Sequence, residues 1–82
     1  MQIARRAAKA LQAIDARQRR RIEAAISALA EDPRPAGVKR LQGVDAYRIR
    51  IGDYRVVYDV EDAVRIVSVT NVGHRRSIYR EV

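Results

Sequence analysis

Residues 47–58 constrain the fold more than any other part of the chain, because they have the pattern of a tight β-hairpin. Gly52-Asp53 supplies a two-residue turn, and glycine at the first central position is what a type II′ turn requires. In the register set by that turn, Ile49 lies opposite Val56 and the apolar side chains of both strands share one face. That face has to be buried against a second layer.

The same register collects positive charge on the other face of the hairpin. Arg50 lies directly opposite Arg55, and Arg48 is two residues along the first strand. Like charges that face each other across paired strands are destabilising, and no carboxylate of either strand lies between them. Guanidinium groups bind phosphate in a planar, bidentate manner. We therefore predict that an anion, most simply a phosphate, binds at these three arginines.

The composition predicts a single domain spanning residues 1–82. The net charge of +7 favours a polyanionic partner, although an ordinary arginine-rich surface would also explain it. The chain has no cysteine, which excludes a disulfide framework and a thiolate metal site. Neither a signal peptide nor an apolar run of about 18 residues is present, so we expect a cytoplasmic protein that does not enter the membrane.

Two helices are predicted in the N-terminal part of the chain. Apolar residues recur with helical spacing over about 5–13. Asp15 opens a capping box, so the second helix should begin near Ala16. Pro33 should end that helix near Ala30, since a residue that precedes proline avoids the helical conformation. We expect the two helices to form an antiparallel hairpin.

Three strands are predicted at about 46–51, 54–60 and 63–72, after a loop over residues 32–43 and with a second turn at 61–62. They form a three-stranded antiparallel meander, and the polar residues beyond it are not expected to extend the last strand. The overall prediction is an α+β fold in which the N-terminal helical hairpin packs on this small antiparallel β-sheet. A short N-terminal strand could add to the sheet.

The chain contains one histidine, His74, placed just after the last predicted strand and beside Arg75 and Arg76. Histidine can act as an acid or a base near neutral pH, but a lone histidine more often makes only local hydrogen bonds. No second histidine is present and the acidic residues are scattered, so we expect neither a metal nor a cofactor. A nucleophile motif and a glycine-rich phosphate loop are also missing, which argues against conventional hydrolases.

Cleavage of RNA does not require a nucleophile from the protein, because RNA carries its own, the 2′-hydroxyl group. The protein has to align that group, stabilise negative charge on the phosphate and manage two protons. The hairpin arginines can supply the charge stabilisation. His74 or Tyr79 can move a proton, and Tyr79 can instead stack on a base.

Three motifs that follow the helices resemble those of RelE-type toxins of the RelE/ParE superfamily. They are P-x-P-x-G-V-K-x-L-x-G, Y-R-I-R-I-G-D-Y-R-V-V-Y and V-G-H-R-R-x-x-Y-R, and the resemblance runs over about 7–80. It implies a RelE-like α/β toxin that is neutralised by a cognate antitoxin protein. It also implies a metal-independent endoribonuclease that cuts mRNA in the ribosomal A site and leaves a 2′,3′-cyclic phosphate.

The resemblance also implies which residues act. The matching motif positions form the expected catalytic set, with His74 as a further candidate acid or base: Arg48, Arg50, Arg55, Arg75 and Tyr79. We expect three further basic residues to contact RNA: Lys39, Arg40 and Arg76. The antitoxin is expected to wrap the domain and to cover the basic face.

The chain departs from the family pattern in two places. Well-studied members carry lysines in the first hairpin strand, one of them thought to be the general base, whereas this chain has Arg48 and Arg50. Arginine does not readily lose its proton, so the base is left unassigned. Family members also begin with a full β-strand, but here only residues 1–4 precede the first helix. That strand is therefore expected to be truncated or missing.

Two other functions fit the same resemblance. A ParE-type toxin shares the fold but inhibits DNA gyrase, a protein target. Those relatives generally lack the clustered basic residues and the C-terminal tyrosine, so the cluster favours RNA as the substrate. The alternative that the missing lysines and short N-terminus favour is a degenerate module, which binds an antitoxin or RNA without cutting.

Overall fold

The computed structural model describes residues 2–41 and 46–74, and these form two helices and a five-stranded sheet. The elements in chain order are β1 (Gln2–Ile3), α1 (Arg5–Ala13), α2 (Ala16–Leu29), β2 (Lys39–Arg40), β3 (Tyr47–Ile51), β4 (Tyr54–Glu61) and β5 (Ile66–His74). The sheet order is β1-β5-β4-β3-β2, with β1 parallel to β5 and the other neighbours antiparallel. The predicted α+β class is confirmed, with both helices packed on the sheet.

The helices begin and end close to where the sequence predicts. One carboxylate oxygen of Asp15 accepts hydrogen bonds from the backbone N–H groups of Arg17 and Gln18, at 3.1 and 3.3 Å. These bonds satisfy donors that have no partner inside the first turn of α2. Each helix buries one apolar stripe toward the sheet, formed by Ala7 and Leu11 in α1 and by Ile22, Ile26 and Leu29 in α2.

The β3–β4 hairpin has the predicted register. Arg50 pairs with Arg55 and Ile49 pairs with Val56. Gly52 has a φ of 60°, the positive value that the first central position of a type II′ turn demands and that glycine adopts without strain. The local turn chemistry therefore fixes which side chains share a face.

Two short strands, β1 and β2, lie at the two edges of the sheet. Residues 39–40 lie within the predicted loop but pair with β3, so the sheet extends one strand beyond the meander. Residues 2–3 form the short N-terminal strand that the sequence allows, and they pair in parallel with Ser68 and Val69 of β5. Both strands contain two residues, too few for an alternation pattern to appear in the sequence.

The predicted limits of the last strand were wrong at both ends. The strand begins at Ile66, because the backbone N–H of Arg65 donates to the Asp62 carbonyl and Arg65 adopts a φ of 55° in the preceding turn. It continues past Val72 to His74, because its residues go on pairing with Tyr54 and its neighbour in β4. Backbone pairing extends the strand there regardless of side-chain polarity.

The core lies between the helices and one face of the sheet. Its sheet side consists of Val56, Tyr58, Val67, Val69 and Val72. Tyr58 is fully buried, and its hydroxyl donates a 2.6 Å hydrogen bond to the Pro33 carbonyl. Tyr47 and Tyr54 are half-buried and pack against the same core, as the sequence predicts. No helix among the described residues has the length and apolar character needed to cross a membrane.

Candidate functional site

The sheet face that points away from the helices carries the hairpin arginines. Because side chains alternate along a strand, Arg48 and Arg50 of β3 lie on the side opposite to the core residue Ile49. Arg55 of β4 faces Arg50 on the same side, and Lys39 of β2 pairs with Arg48. Cationic residues from three neighbouring strands are therefore brought together on one surface.

These residues line a pocket of about 230 Å³, which we call the cationic pocket. Its described lining consists of Gly37, Lys39, Arg48, Arg50 and Arg55, so it includes four cationic side chains and no carboxylate. The hairpin register predicted from the sequence already places the three arginines on one face of the sheet. The structure adds Lys39 to them, on an edge strand that the sequence did not reveal.

The arginines of the cationic pocket differ in their surroundings. The Arg55 residue is buried, with 8% exposure, whereas Arg50 is exposed. Low polarizability around a buried charge strengthens its interaction with an anion. The Nε of Arg50 donates a 3.0 Å hydrogen bond to the Gly52 carbonyl, which ties this guanidinium to the hairpin turn. The pocket thus combines one deeply set cation with one at its rim.

A small apolar cluster stiffens the same face of the sheet. Ala46 and Val57 are buried together, and Leu41 packs against them. Val57 pairs with Arg48 across β3 and β4, so the cluster directly adjoins the cationic pocket. This second cluster packs β4 against the residues that adjoin β2 and β3, on the face that the helices do not cover.

His74 lies on the other side of the sheet from Arg55. It pairs with Tyr54, whose side chain points to the helix side, and the two rings meet edge to face with centroids 5.8 Å apart. His74 lines a separate pocket of about 440 Å³ at the tip of the β3–β4 hairpin, which we call the hairpin-tip pocket. Arg50 lines both pockets, and Arg48 and Arg55 line only the cationic one.

Arg40 is not part of the described lining of the cationic pocket. Arg40 pairs with Tyr47 and lines a third cavity, together with Arg34 and Asp62. Arg75, Arg76 and Tyr79 lie outside the described residues. Their predicted roles therefore stay predictions.

Arg21 is a neighbour of the site that the sequence did not indicate. Its guanidinium extends from α2 over the hairpin turn, where Nη1 lies 3.6 Å from the position that a β-carbon at Gly52 would occupy. Nη1 also donates a 3.3 Å hydrogen bond to the side-chain oxygen of Gln18. The sequence shows only that Arg21 lies off the buried stripe of α2, and the way α2 packs across the hairpin determines the rest.

Arg34 fastens the loop that leads into β2. Its two terminal nitrogens bind the carboxylate of Asp62 at 3.1 and 2.9 Å, and its Nε donates to the Tyr47 hydroxyl at 3.1 Å. The guanidinium also lies over the Tyr47 ring, 5.1 Å from its centroid. The hydrogen bond from Arg34 lowers the pKa of Asp62, and hydrogen bonds to Asp62 and Tyr47 raise the pKa of Arg34. This network holds the loop that precedes Lys39 against the sheet.

The described part of the chain contains no cluster of residues that could bind a metal ion. Over residues 2–41 and 46–74, no group of three or more histidine, cysteine or acidic side chains is arranged to hold an ion.

Several solved structures share this fold. RelE in the RelB–RelE complex of Methanococcus jannaschii matches with a TM-score of 0.80 and 26% identity, over 99% of this chain and 98% of that chain. The RelE–RelB complex of Pyrococcus horikoshii gives 0.81 and 31%, over 90% and 91%. The isolated RelE toxin of Escherichia coli gives 0.77 and 30%, over 98% and 89%.

The fold and its cationic outer face thus define a small toxin domain of the RelE type. The model of the ParE toxin of type II toxin–antitoxin systems (parDE) matches residues 1–79. The chain belongs to this family of toxins and, with it, to the RelE/ParE superfamily. None of the curated protein sequences matches the chain at a significant level.

Proposed function

We propose that this toxin is a metal-independent endoribonuclease that cuts mRNA in the ribosomal A site. The observation that carries the proposal is the cationic pocket, whose described lining has four cations and no carboxylate. A pocket of that charge on a rigid sheet suits a phosphodiester better than a neutral or acidic protein surface. The similarity to RelE over nearly the whole chain supports the same conclusion.

The reaction needs no nucleophile from the protein. The 2′-oxygen of RNA attacks the adjacent phosphorus, the bond from phosphorus to the 5′-oxygen breaks, and the products are a 2′,3′-cyclic phosphate and a 5′-hydroxyl. Negative charge builds up on the two non-bridging oxygens in the transition state. Arg55 and Arg48 are the side chains best placed to stabilise it, because fixed donors in a partly buried site do not have to reorganise as the charge develops.

Primer extension on translated mRNA tests the proposal. We expect wild-type protein to produce discrete cuts within codons, and Arg55→Ala to reduce their rate by about 10²-fold or more, as expected for a lost transition-state donor. Arg65→Ala is the matched control, because it removes the same charge from an exposed turn that does not line the cationic pocket. Equal cleavage by wild type and Arg55→Ala would contradict the proposed role of the pocket.

A gyrase-inhibiting toxin is the second candidate, since the matching family model is that of a ParE toxin, but the similarity to solved RelE structures does not favour it. It predicts DNA-damage signalling in cells without any cuts in mRNA. A degenerate binding module, in contrast, would associate with ribosomes and leave both mRNA and DNA intact. Measuring mRNA cleavage and DNA-damage signalling in the same induced culture separates the three functions.

We further assign the toxin a cognate antitoxin as its protein partner. The RelE toxins from Methanococcus jannaschii and Pyrococcus horikoshii are each found in complex with RelB. An acidic amphipathic segment would complement the net charge of +7 and cover the basic face. Co-expression with the product of a short neighbouring gene should yield a stable complex and restore growth, and failure of every neighbouring product to bind would contradict the assignment.

A further inference from the structure

The proposed cleavage needs a proton donor that the arginines of the cationic pocket do not provide. The 5′-oxygen leaves as an alkoxide unless it receives a proton as its bond to phosphorus breaks. A guanidinium group stays protonated in proteins, so it stabilises charge but does not transfer a proton readily. Among the described residues that line the pocket, Lys39 is the one whose side chain can give up a proton.

We propose that Lys39 is the general acid that protonates the 5′-oxygen leaving group, an inference that rests on the proposed ribonuclease function. Lys39 lies on β2 in direct register with Arg48 of β3, so its side chain shares the face of the hairpin arginines. An ammonium group carries three donors on a flexible stem and can reach a leaving oxygen while the arginines hold the phosphate.

The position of Lys39 also fits a group that must recover its proton after each turnover. Lys39 is exposed on β2, at one edge of the sheet, so its nitrogen can exchange protons with water. His74, the candidate acid or base from the sequence, lines the hairpin-tip pocket on the other side of the sheet. Lys39 therefore meets the requirement of location better than His74 does.

The 2′-oxygen forms a bond to phosphorus and loses its proton to water, while the ammonium of Lys39 transfers one proton to the departing 5′-oxygen. The bond from phosphorus to that oxygen breaks, which leaves a cyclic phosphate, a neutral 5′-hydroxyl and a neutral lysine amine. The amine then takes a proton from water, so that the reaction as a whole neither gains nor loses protons.

A substrate with a better leaving group tests this role directly. We would place a single sulfur at the bridging 5′ position of the scissile phosphate in a ribosome-bound mRNA, since a thiolate leaves without being protonated. Lys39→Ala should slow cleavage of the ordinary mRNA by about 10²-fold or more. With the sulfur-containing mRNA, Lys39→Ala and wild type should differ by no more than a few-fold.

Two further variants separate proton transfer from charge. Lys39→Arg keeps the positive charge but not a readily transferred proton, so it should behave like Lys39→Ala on both substrates. Lys9→Ala removes the other lysine of the chain, which is exposed on α1, and should leave both rates unchanged. Thermal unfolding of each variant checks that it is folded, and truncation of an exposed side chain on a two-residue edge strand should leave the midpoint within a few degrees.

The outcomes distinguish this inference from the function on which it rests. If wild type cuts neither mRNA, the ribonuclease function itself is contradicted. If wild type cuts and Lys39→Ala is equally slow on both substrates, Lys39 acts by charge or position and the inference is overturned. Full activity of Lys39→Ala or Lys39→Arg on the ordinary mRNA would overturn it as well, while the ribonuclease function stands.

Discussion

Arg50 and Arg55 face each other directly across β3 and β4, in the register that the Gly52 turn sets. Arg50 is exposed, whereas Arg55 is buried with 8% of its surface exposed, and both line the cationic pocket. Like charges in this relationship lower the stability of a strand pair, by roughly 0.2–1 kcal/mol on the scale of cross-strand pairs. Binding of an anion between the two guanidinium groups would offset this repulsion.

The first prediction follows from that opposition of charge. Arg50→Gln should raise the free energy of unfolding at low ionic strength, because the repulsion on Arg55 is removed. Phosphate should raise the melting temperature of the wild type more than chloride does at equal ionic strength, since it binds the folded state. This difference should shrink in Arg50→Gln. Phosphate and chloride acting alike on the wild type would argue against an anion site.

The second prediction concerns the carboxylate that holds Arg34. Its hydrogen bond from Arg34 lowers the pKa of Asp62 below 3.8, the ordinary value, so the interaction stabilises the fold above that pH and is lost as the pH falls further. Asp62→Asn should therefore be less stable than wild type at pH 7, and the two should converge in acid. Urea unfolding from pH 7 to pH 2 measures this convergence.

Asp59→Asn is the control for that series. Asp59 is exposed on β4 and lines the same cavity as Asp62, but the hydrogen bonds of Arg34 go to Asp62 and Tyr47. Asp59→Asn removes the same charge as Asp62→Asn, but the stability of this variant should fall in acid in the same way as that of the wild type. A constant difference between Asp62→Asn and wild type at every pH would show that the ion pair is not the cause.

The third prediction is for alkaline pH. Burial raises the pKa of Tyr58 to about 12 from an ordinary value of 10.0, so the unfolded chain loses this proton first. The contribution of Tyr58 to stability is complete below pH 10 and is lost as the pH rises toward 12. Tyr58→Phe cannot ionise, so its stability should fall less steeply than that of the wild type over this range.

The same variant loses the hydrogen bond to Pro33 at every pH. Its stability at pH 7 measures that loss, and only the change in slope above pH 10 reports ionisation. Parallel stability curves for the two proteins from pH 9 to pH 12 would contradict the raised pKa.

Most of the fold could be predicted because its signals are local. The Gly52 turn and the alternation on either side of it fix the hairpin, and Asp15 marks the start of α2 through its own hydrogen bonds. The edge strand at residues 39–40 could not be predicted, and the one at residues 2–3 only as a possibility, since two residues carry no period and are defined by their partners. Val64 has the character of a strand residue, yet it lies exposed in the turn before β5.

For the candidate site, the positions of the hairpin arginines could be predicted from the sequence, but those of Lys39 and His74 could not. Register alone brings Arg48, Arg50 and Arg55 to one face, because side chains two residues apart point the same way. Lys39 joins them through an edge strand that has no signal of its own in the sequence. His74 goes to the other side because β5 continues through it, so that strand alternation governs its direction. The placement of Lys39 therefore depends on the pairing at the sheet edge, and the placement of His74 depends on where β5 ends.

The last prediction concerns the small core and its contribution to the free energy of unfolding. Ile22 of α2 is fully buried between the helices and the sheet, so Ile22→Ala should leave a cavity and cost about 2–5 kcal/mol. Ile22→Val should cost only about 0.5–1.5 kcal/mol. The folded state of a small domain is stabilised by only about 5–15 kcal/mol, so the alanine variant should lose a large part of its stability. Chemical denaturation measures all three proteins, with Glu23→Ala as an exposed control on the same helix, and equal losses for the alanine and valine variants would contradict a tightly packed site.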